Sequence, residues 1–307
     1  TSACTDTPPP NGDTCANAVK FGWCGVDWMK GACARSCGSC SGGPPSGNGG
    51  SGNSSGGSSS SSGGSSSSGG SSSTVPNPPR ITGGTKGHAT RYWDCCKGGC
   101  AWKGKTAQTA KSCDANNNPL SDPDAGSSCN NGPAYMCWSL APWAVSETLA
   151  YGYAAVKSDS DCGKCYQLQF DGGSQNGSTD GTKKLSNKTM IVQVISNGRL
   201  DEPNKFDLLI PGGGVGDFNA CSKQWGTTDL GVQFGGFMLK CQQEKKDYEA
   251  AKSCVADMCK KTFANKPDLA AGCDWFLNWF AAADNPTFEY KEVTCPDALI
   301  QRSGQRR

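Results

Sequence analysis

Between Ser41 and Ser73, 29 of 33 residues are glycine or serine. Such a run has almost no apolar surface to bury, so it cannot join a core and divides the chain into two separately folded parts. Its root-mean-square span is about 30 Å by the random-coil rule. Val75-Pro76-Asn77-Pro78-Pro79 then stiffens the approach to the second part. We read residues 1–40 as a small module, 41–80 as a flexible linker with a Pro-rich end, and 81–307 as the main domain. Six of the 20 cysteines precede the linker and fourteen follow it. Both counts are even, so each part is able to close its own disulfides.

This cysteine density points to an oxidising, extracellular setting. No apolar run is long enough to span a bilayer and Thr1 opens no apolar signal segment, so the expectation is the mature start of a secreted protein. The last residues, Arg302 to Arg307, carry no anchor signal. With 29 basic and 27 acidic residues the charge is near balance, which gives no electrostatic reason to expect nucleic acid or a membrane as partner. A neutral polymer and a monomeric protein fit better. The single histidine, His88, argues against a Ser-His-Asp site and rules out multi-histidine metal sites. No metal or organic cofactor is expected, and carboxylates are left as the chemistry.

Thr189 to Ile195 reads as a strand, and Cys165 to Phe170 alternates with period two. Helical signal falls on Trp143 to Tyr151 and, more weakly, on Tyr248 to Lys261. Pattern alone gives a mainly β, disulfide-stapled domain, with a barrel as its expected form. Two aspartates stand out against this background. Thr90-Arg91-Tyr92-Trp93-Asp94-Cys95-Cys96-Lys97-Gly98-Gly99-Cys100 sets Asp94 beside aromatic rings and anchors it with three cysteines. Lys205-Phe206-Asp207-Leu208-Leu209-Ile210-Pro211-Gly212-Gly213-Gly214 gives Asp207 apolar neighbours that would raise its pKa. Two carboxylates in contrasting settings suit acid/base hydrolysis of a sugar. Trp93 should turn away from Tyr92 and Asp94 into the core, and the glycine run lacks the Lys-Ser/Thr of a phosphate loop, so it reads as a tight turn.

These two motifs strongly resemble glycoside hydrolase family 45, the small endo-β-1,4-glucanases. The likeness runs from about His88 to about Gly304 and includes Ala134-Tyr135-Met136-Cys137, Pro142-Trp143-Ala144-Val145 and Ala283-Asp284-Asn285-Pro286-Thr287-Phe288, in the family's order. It implies a six-stranded double-psi β-barrel whose long loops form a groove for a β-glucan. It also implies Asp207 as general acid and Asp94 as general base of an inverting reaction. Tyr92 and Trp102 match aromatic positions that stack on glucosyl units, and Thr90 is expected to help position Asp94. Lys205 stands where the family often has a histidine, and its charge would pull the pKa of Asp207 down. Asp201 is the nearest candidate for an acidic residue on a loop over the cleft, about one residue out of the family spacing.

The same resemblance implies the pairings Cys95–Cys221, Cys96–Cys129, Cys100–Cys162, Cys113–Cys137, Cys165–Cys295 and Cys259–Cys273. A further family pair is missing, since Gly163 and the neighbourhood of Gln305 lack cysteine. Cys241 and Cys254 are left to bridge each other. The ending Cys33-Ala34-Arg35-Ser36-Cys37-Gly38-Ser39-Cys40 resembles the ShK-type domain, named after a sea-anemone potassium-channel toxin. That likeness implies Cys4–Cys40, Cys15–Cys33 and Cys24–Cys37. Trp23 and Trp28 suit either a carbohydrate-binding face or a thin core in an inert or protein-binding module. An expansin-like, non-hydrolytic wall-loosening protein is the alternative for the main domain; such proteins share the barrel and the Phe-Asp motif but lack the base that Asp94 supplies.

Overall fold

The computed structural model of the protein describes residues 6–7, 15, 33–36, 77–198, 200 and 202–307. The chain divides into two units, Thr1–Pro76 and Asn77–Arg307. In the first, Cys15 is bonded to Cys33. The Asp6 carboxylate accepts from the N–H groups of Arg35 (3.0 Å) and Ser36 (2.9 Å), closing the turn after Cys33. The expected Cys4–Cys40 and Cys24–Cys37 pairs, Trp23, Trp28 and the Gly/Ser tract lie outside the described residues.

The second unit is mainly β. Its strands are β1 (Thr85–Tyr92), β2 (Trp143–Ala144), β3 (Leu149–Val156), β4 (Cys165–Ser174), β5 (Thr189–Asn197), β6 (Lys205–Leu209) and β7 (Pro286–Val293). They form one sheet in the order β2-β3-β5-β4-β7-β1-β6, and β6 pairs in addition with β3. Helices α1 (Cys221–Trp225), α2 (Gly236–Glu244), α3 (Tyr248–Thr262), α4 (Pro267–Asn278) and α5 (Asp297–Ser303) complete it. β3 is buried along its whole length. An edge-to-face set of rings fills the core: Phe170–Phe288 at 5.8 Å between centroids, Phe288–Phe206 at 5.7 Å and Phe206–Tyr290 at 4.9 Å. Each such pair adds about 0.5–1.5 kcal/mol beyond burial.

Residues 143–151, expected as a helix, form β2, a turn and the start of β3. The Ser146 hydroxyl takes the N–H groups of Thr148 (3.3 Å) and Leu149 (3.0 Å), which fixes the turn. Burial of both faces of β3 then overrides the helical propensity of its Leu and Ala residues. β4 likewise alternates in chemistry, yet both faces are covered from Cys165 to Phe170. Its polar side meets the Pro-rich end of the linker and the residue that follows it, where Gln167 donates to Pro79 O (2.8 Å) and Gln169 accepts from Ile81 N (2.9 Å).

Helix α3 occupies the second expected helical stretch, capped by Asp247, whose carboxylate accepts from Ala250 N (2.8 Å). All six family-type disulfides of this unit are formed, and Cys241 is bonded to Cys254. The last two bridges, Cys241–Cys254 and Cys259–Cys273, clamp α3 to α2 and α4. Where the family's missing pair would lie, hydrogen bonds stand in. The fully buried Gln305 faces Gly163, its amide turned to accept from Gly163 N (3.2 Å) and donate to Val194 O (3.1 Å). Ser303 donates to Gln193 Oε1 (2.6 Å), and Gln193 Nε2 donates to Gln305 O (3.2 Å).

Candidate active site

Phe206 and Leu208 are buried in the core, so strand alternation turns Asp207 to the opposite face of β6. In the parallel β1–β6 pairing Asp207 lies opposite Thr90, whose hydroxyl donates to Asp207 Oδ1 at 2.9 Å. Thr90 therefore holds Asp207, not Asp94 as expected, because register sets which carboxylate it meets.

Asp94 follows β1 by two residues, and its backbone is held from several sides. Trp93 N donates to Gly214 O (2.8 Å) and Ala220 N to Asp94 O (2.9 Å). The bridges Cys95–Cys221 and Cys96–Cys129 lock the residues that follow. Trp93 is fully buried, as its alternation requires. The glycine run is a turn, with positive φ at Gly212 (79°) and Gly214 (110°). A Cβ on Gly213 would stand 2.9 Å from Tyr92 N, so only glycine lets this turn close on the end of β1.

Asp94 and Asp207 are each half-buried as residues. Burial raises Asp94 to about 7, helped by the charge of Asp207 and opposed by a hydrogen bond from Cys96 N to Asp94 Oδ1 (2.9 Å). Burial also raises Asp207 to about 6, against the Thr90 hydrogen bond and the charges of Lys205 and Arg91. The downward pull expected of Lys205 is present but smaller than burial. The contrast expected between the two aspartates is absent, since both are raised. Tyr92 feels both carboxylates, and its phenol is pushed well above its ordinary value, by burial first.

Trp102 is half-buried and one face of its ring is occupied: Lys97 Nζ lies 3.5 Å from the ring centroid. That ammonium also donates to Pro123 O (2.6 Å) and Ala125 O (2.8 Å). Lys97 was visible within the Asp-Cys-Cys-Lys motif, but nothing local signals that it caps Trp102. Asp201 lies outside the described residues. Arg91 points to the other side of β1 and pairs with Asp284 at 2.6 Å, with both side chains mostly buried. The Ala-Asp-Asn-Pro stretch is thus structural. Phe218 and Phe234 are exposed (51% and 61%) on loops beside the glycine turn. These loops are tied by Gly216 N to Gln233 O and Gln233 Nε2 to Gly216 O, both 2.9 Å.

The glycosyl hydrolase family 45 profile matches residues 86–306. Over 241 residues the chain is 51% identical to Endoglucanase B of Cellvibrio japonicus, covering 75% of this chain and 47% of that protein. It thus spans about half the length of that relative. It is 35% identical over 232 residues to an endoglucanase of Cryptopygus antarcticus, covering 73% of this chain and 89% of the relative. The crystal structure of the cellulase from the same Antarctic springtail superposes with a TM-score of 0.58 at 34% identity, over 73% of this chain and 97% of that one. A profile match spanning both aspartates, on a sheet that brings them to one site, leaves a single assignment: the chain belongs to glycosyl hydrolase family 45.

Proposed function

We propose that the protein is a secreted, monomeric endo-β-1,4-glucanase that cleaves internal bonds of cellulose or a related β-glucan with inversion. The observation that carries this reading is the pair Asp94 and Asp207, electrostatically coupled and both raised toward neutrality within a family 45 domain. One proton shared by such a pair near pH 6–7 leaves one acid and one base. Asp207 protonates the leaving oxygen while Asp94 takes a proton from water attacking the opposite face, and the two carboxylates exchange protonation states in each turnover. Tyr92 and the open face of Trp102 hold glucosyl rings.

The sheet is a double-psi β-barrel in this reading, supported by the β3–β6 pairing that returns the sheet on itself. Secretion is supported by the absence of a free cysteine among the described residues.

One observation favours exchanged roles. Asp94 has the higher pKa, and the cations Lys205 and Arg91 favour charge on Asp207. The family resemblance carries the first assignment, and a substrate that needs no acid separates the two, as argued below. Function itself is tested by proton NMR of a cello-oligosaccharide during digestion. The new reducing end should appear first as the α-anomer. Initial β-anomer would demand a covalent intermediate, and no cleavage of any β-glucan would favour the expansin-like alternative.

A further inference from the structure

Trp102 is seated differently from the other half-buried rings around it. Tyr92, Trp138 and Trp143 pack against the apolar core, and Trp102 does not. It follows a one-turn helix, Gly99–Ala101, with extended backbone (φ −85°, ψ 142°), and Lys103, Gly104 and Lys105 after it are exposed. A Cβ on Gly104 would meet nothing within 4 Å, so the chain stands clear of other atoms two residues past the ring. Burial in the core therefore does not fix this indole, and something else must.

That is the role open to Lys97. Its Nζ lies 3.5 Å from the Trp102 ring centroid and donates to Pro123 O (2.6 Å) and Ala125 O (2.8 Å). Only 6% of Lys97 is exposed. Two of the three N–H groups of the ammonium are thus taken by main-chain carbonyls, and the indole face stands against the same charge. Those carbonyls are themselves fixed. Asp122 O accepts from Ala125 N (3.3 Å) and Asp122 Oδ1 from Asp124 N (2.8 Å), while Cys96, next to Lys97, is bonded to Cys129. A buried cation is a costly way to support a ring that merely fills space, because an apolar side chain of similar length would pack there without desolvation of a charge. What the charge adds is direction: it holds the ring by its face, at a point set by two carbonyls.

We infer that Lys97 is a positioning residue for substrate binding: it fixes the Trp102 indole against the turn at 123–125, with one face covered and the other presented to a glucosyl ring. Lys97 touches no sugar and acts through Trp102. A platform set in place before the glucan arrives loses less freedom on binding, so the effect falls on affinity and not on the chemical step. This rests on the glucanase reading, in which Trp102 stacks on the substrate.

The test is a double-mutant cycle on the full chain, with a series of cello-oligosaccharides of increasing length as substrates, read as kcat and KM. Lys97→Met keeps the length of the side chain and removes the charge. It should raise KM about fivefold on the oligosaccharides whose KM is raised by Trp102→Ala, with kcat within about twofold of wild type. In a Trp102→Ala background the same change should move KM by less than about twofold, because the ring it acts through is gone. Lys97→Arg keeps the charge, the donors and a flat group to stack, so it should hold KM within about threefold of wild type, and it carries the test should the Met variant not fold. A Lys97→Met cost that persists without Trp102, that extends to lengths Trp102→Ala leaves alone, or that falls on kcat would overturn the proposal, as would a Lys97→Arg variant as weak as Trp102→Ala. Unchanged KM at every length in Trp102→Ala would instead sink the stacking role of Trp102, and a wild-type chain that cuts none of the series would sink the glucanase reading itself.

Discussion

A carboxylate whose pKa is raised by folding works against the fold once it ionises. In the unfolded chain Asp94 and Asp207 lose their protons near about 4, whereas in the folded protein they do so near 7 and 6. Between these limits the folded state binds more protons than the unfolded one, so their contribution to stability falls as pH rises from about 4 to 7. Replacing either by Asn removes that penalty. Asp94→Asn should therefore be more stable than wild type at pH 8, by about 1–3 kcal/mol, with the difference vanishing near pH 4. Thermal denaturation at the two pH values checks this; a variant weaker than wild type at pH 8 contradicts it. The same variants should lose about 10²- to 10⁴-fold in activity on β-glucan. An aryl cellobioside with a good leaving group needs little acid. Asp207→Asn should thus retain activity on it while Asp94→Asn should not, and the reverse outcome would exchange their roles. Both aspartates were legible from motif alone. The partner of Thr90 was not, because it depends on a register between residues 117 positions apart.

At the scale of elements, β4, β5 and α3 follow from local pattern, while 143–151 shows where pattern misleads. Its Ala and Leu residues suit a helix as well as a fully buried strand, and only the neighbours decide. The bulge in β5, where Ala154 lies opposite Val194 but Ala155 opposite Ser196, was illegible for a related reason: an extra residue between paired strands leaves no mark on the composition of either. The polar cluster of Gln193, Ser303 and Gln305 joins the end of α5 to β5 where a family disulfide is missing. Ser303 is fully buried and donates to Gln193, and its Oγ also accepts from Gln305 N at 3.0 Å. Ser303→Ala would strand the Gln193 oxygen and the Gln305 N–H in a dry site. We expect a loss of about 1–3 kcal/mol, seen as a lower denaturant midpoint at unchanged m-value. A shift below about 0.5 kcal/mol would mean that the cluster does not substitute for the bridge.

For the whole molecule, the Gly/Ser tract predicts that chemistry and the first module are separable. The unit Asn77–Arg307 contains both aspartates, seven disulfides and the aromatic core. It also keeps the contacts of its own N-terminal segment, including Asn77 to Thr148 Oγ1 (2.6 Å) and Arg80 to Asn187 Oδ1 (2.8 Å). A protein beginning at Asn77 therefore loses none of these interactions and should fold by itself. Its kcat/KM on a soluble β-glucan should stay within about twofold of the full chain, because a soluble substrate gains nothing from a second tethered contact. On solid cellulose a module that binds the polymer raises the effective concentration of the enzyme at the surface, and removing it should lower adsorption. Comparing both proteins on both substrates separates the two contributions. Equal adsorption would assign the module a role other than cellulose binding, and a collapse on soluble glucan would show that residues 1–76 belong to the catalytic unit.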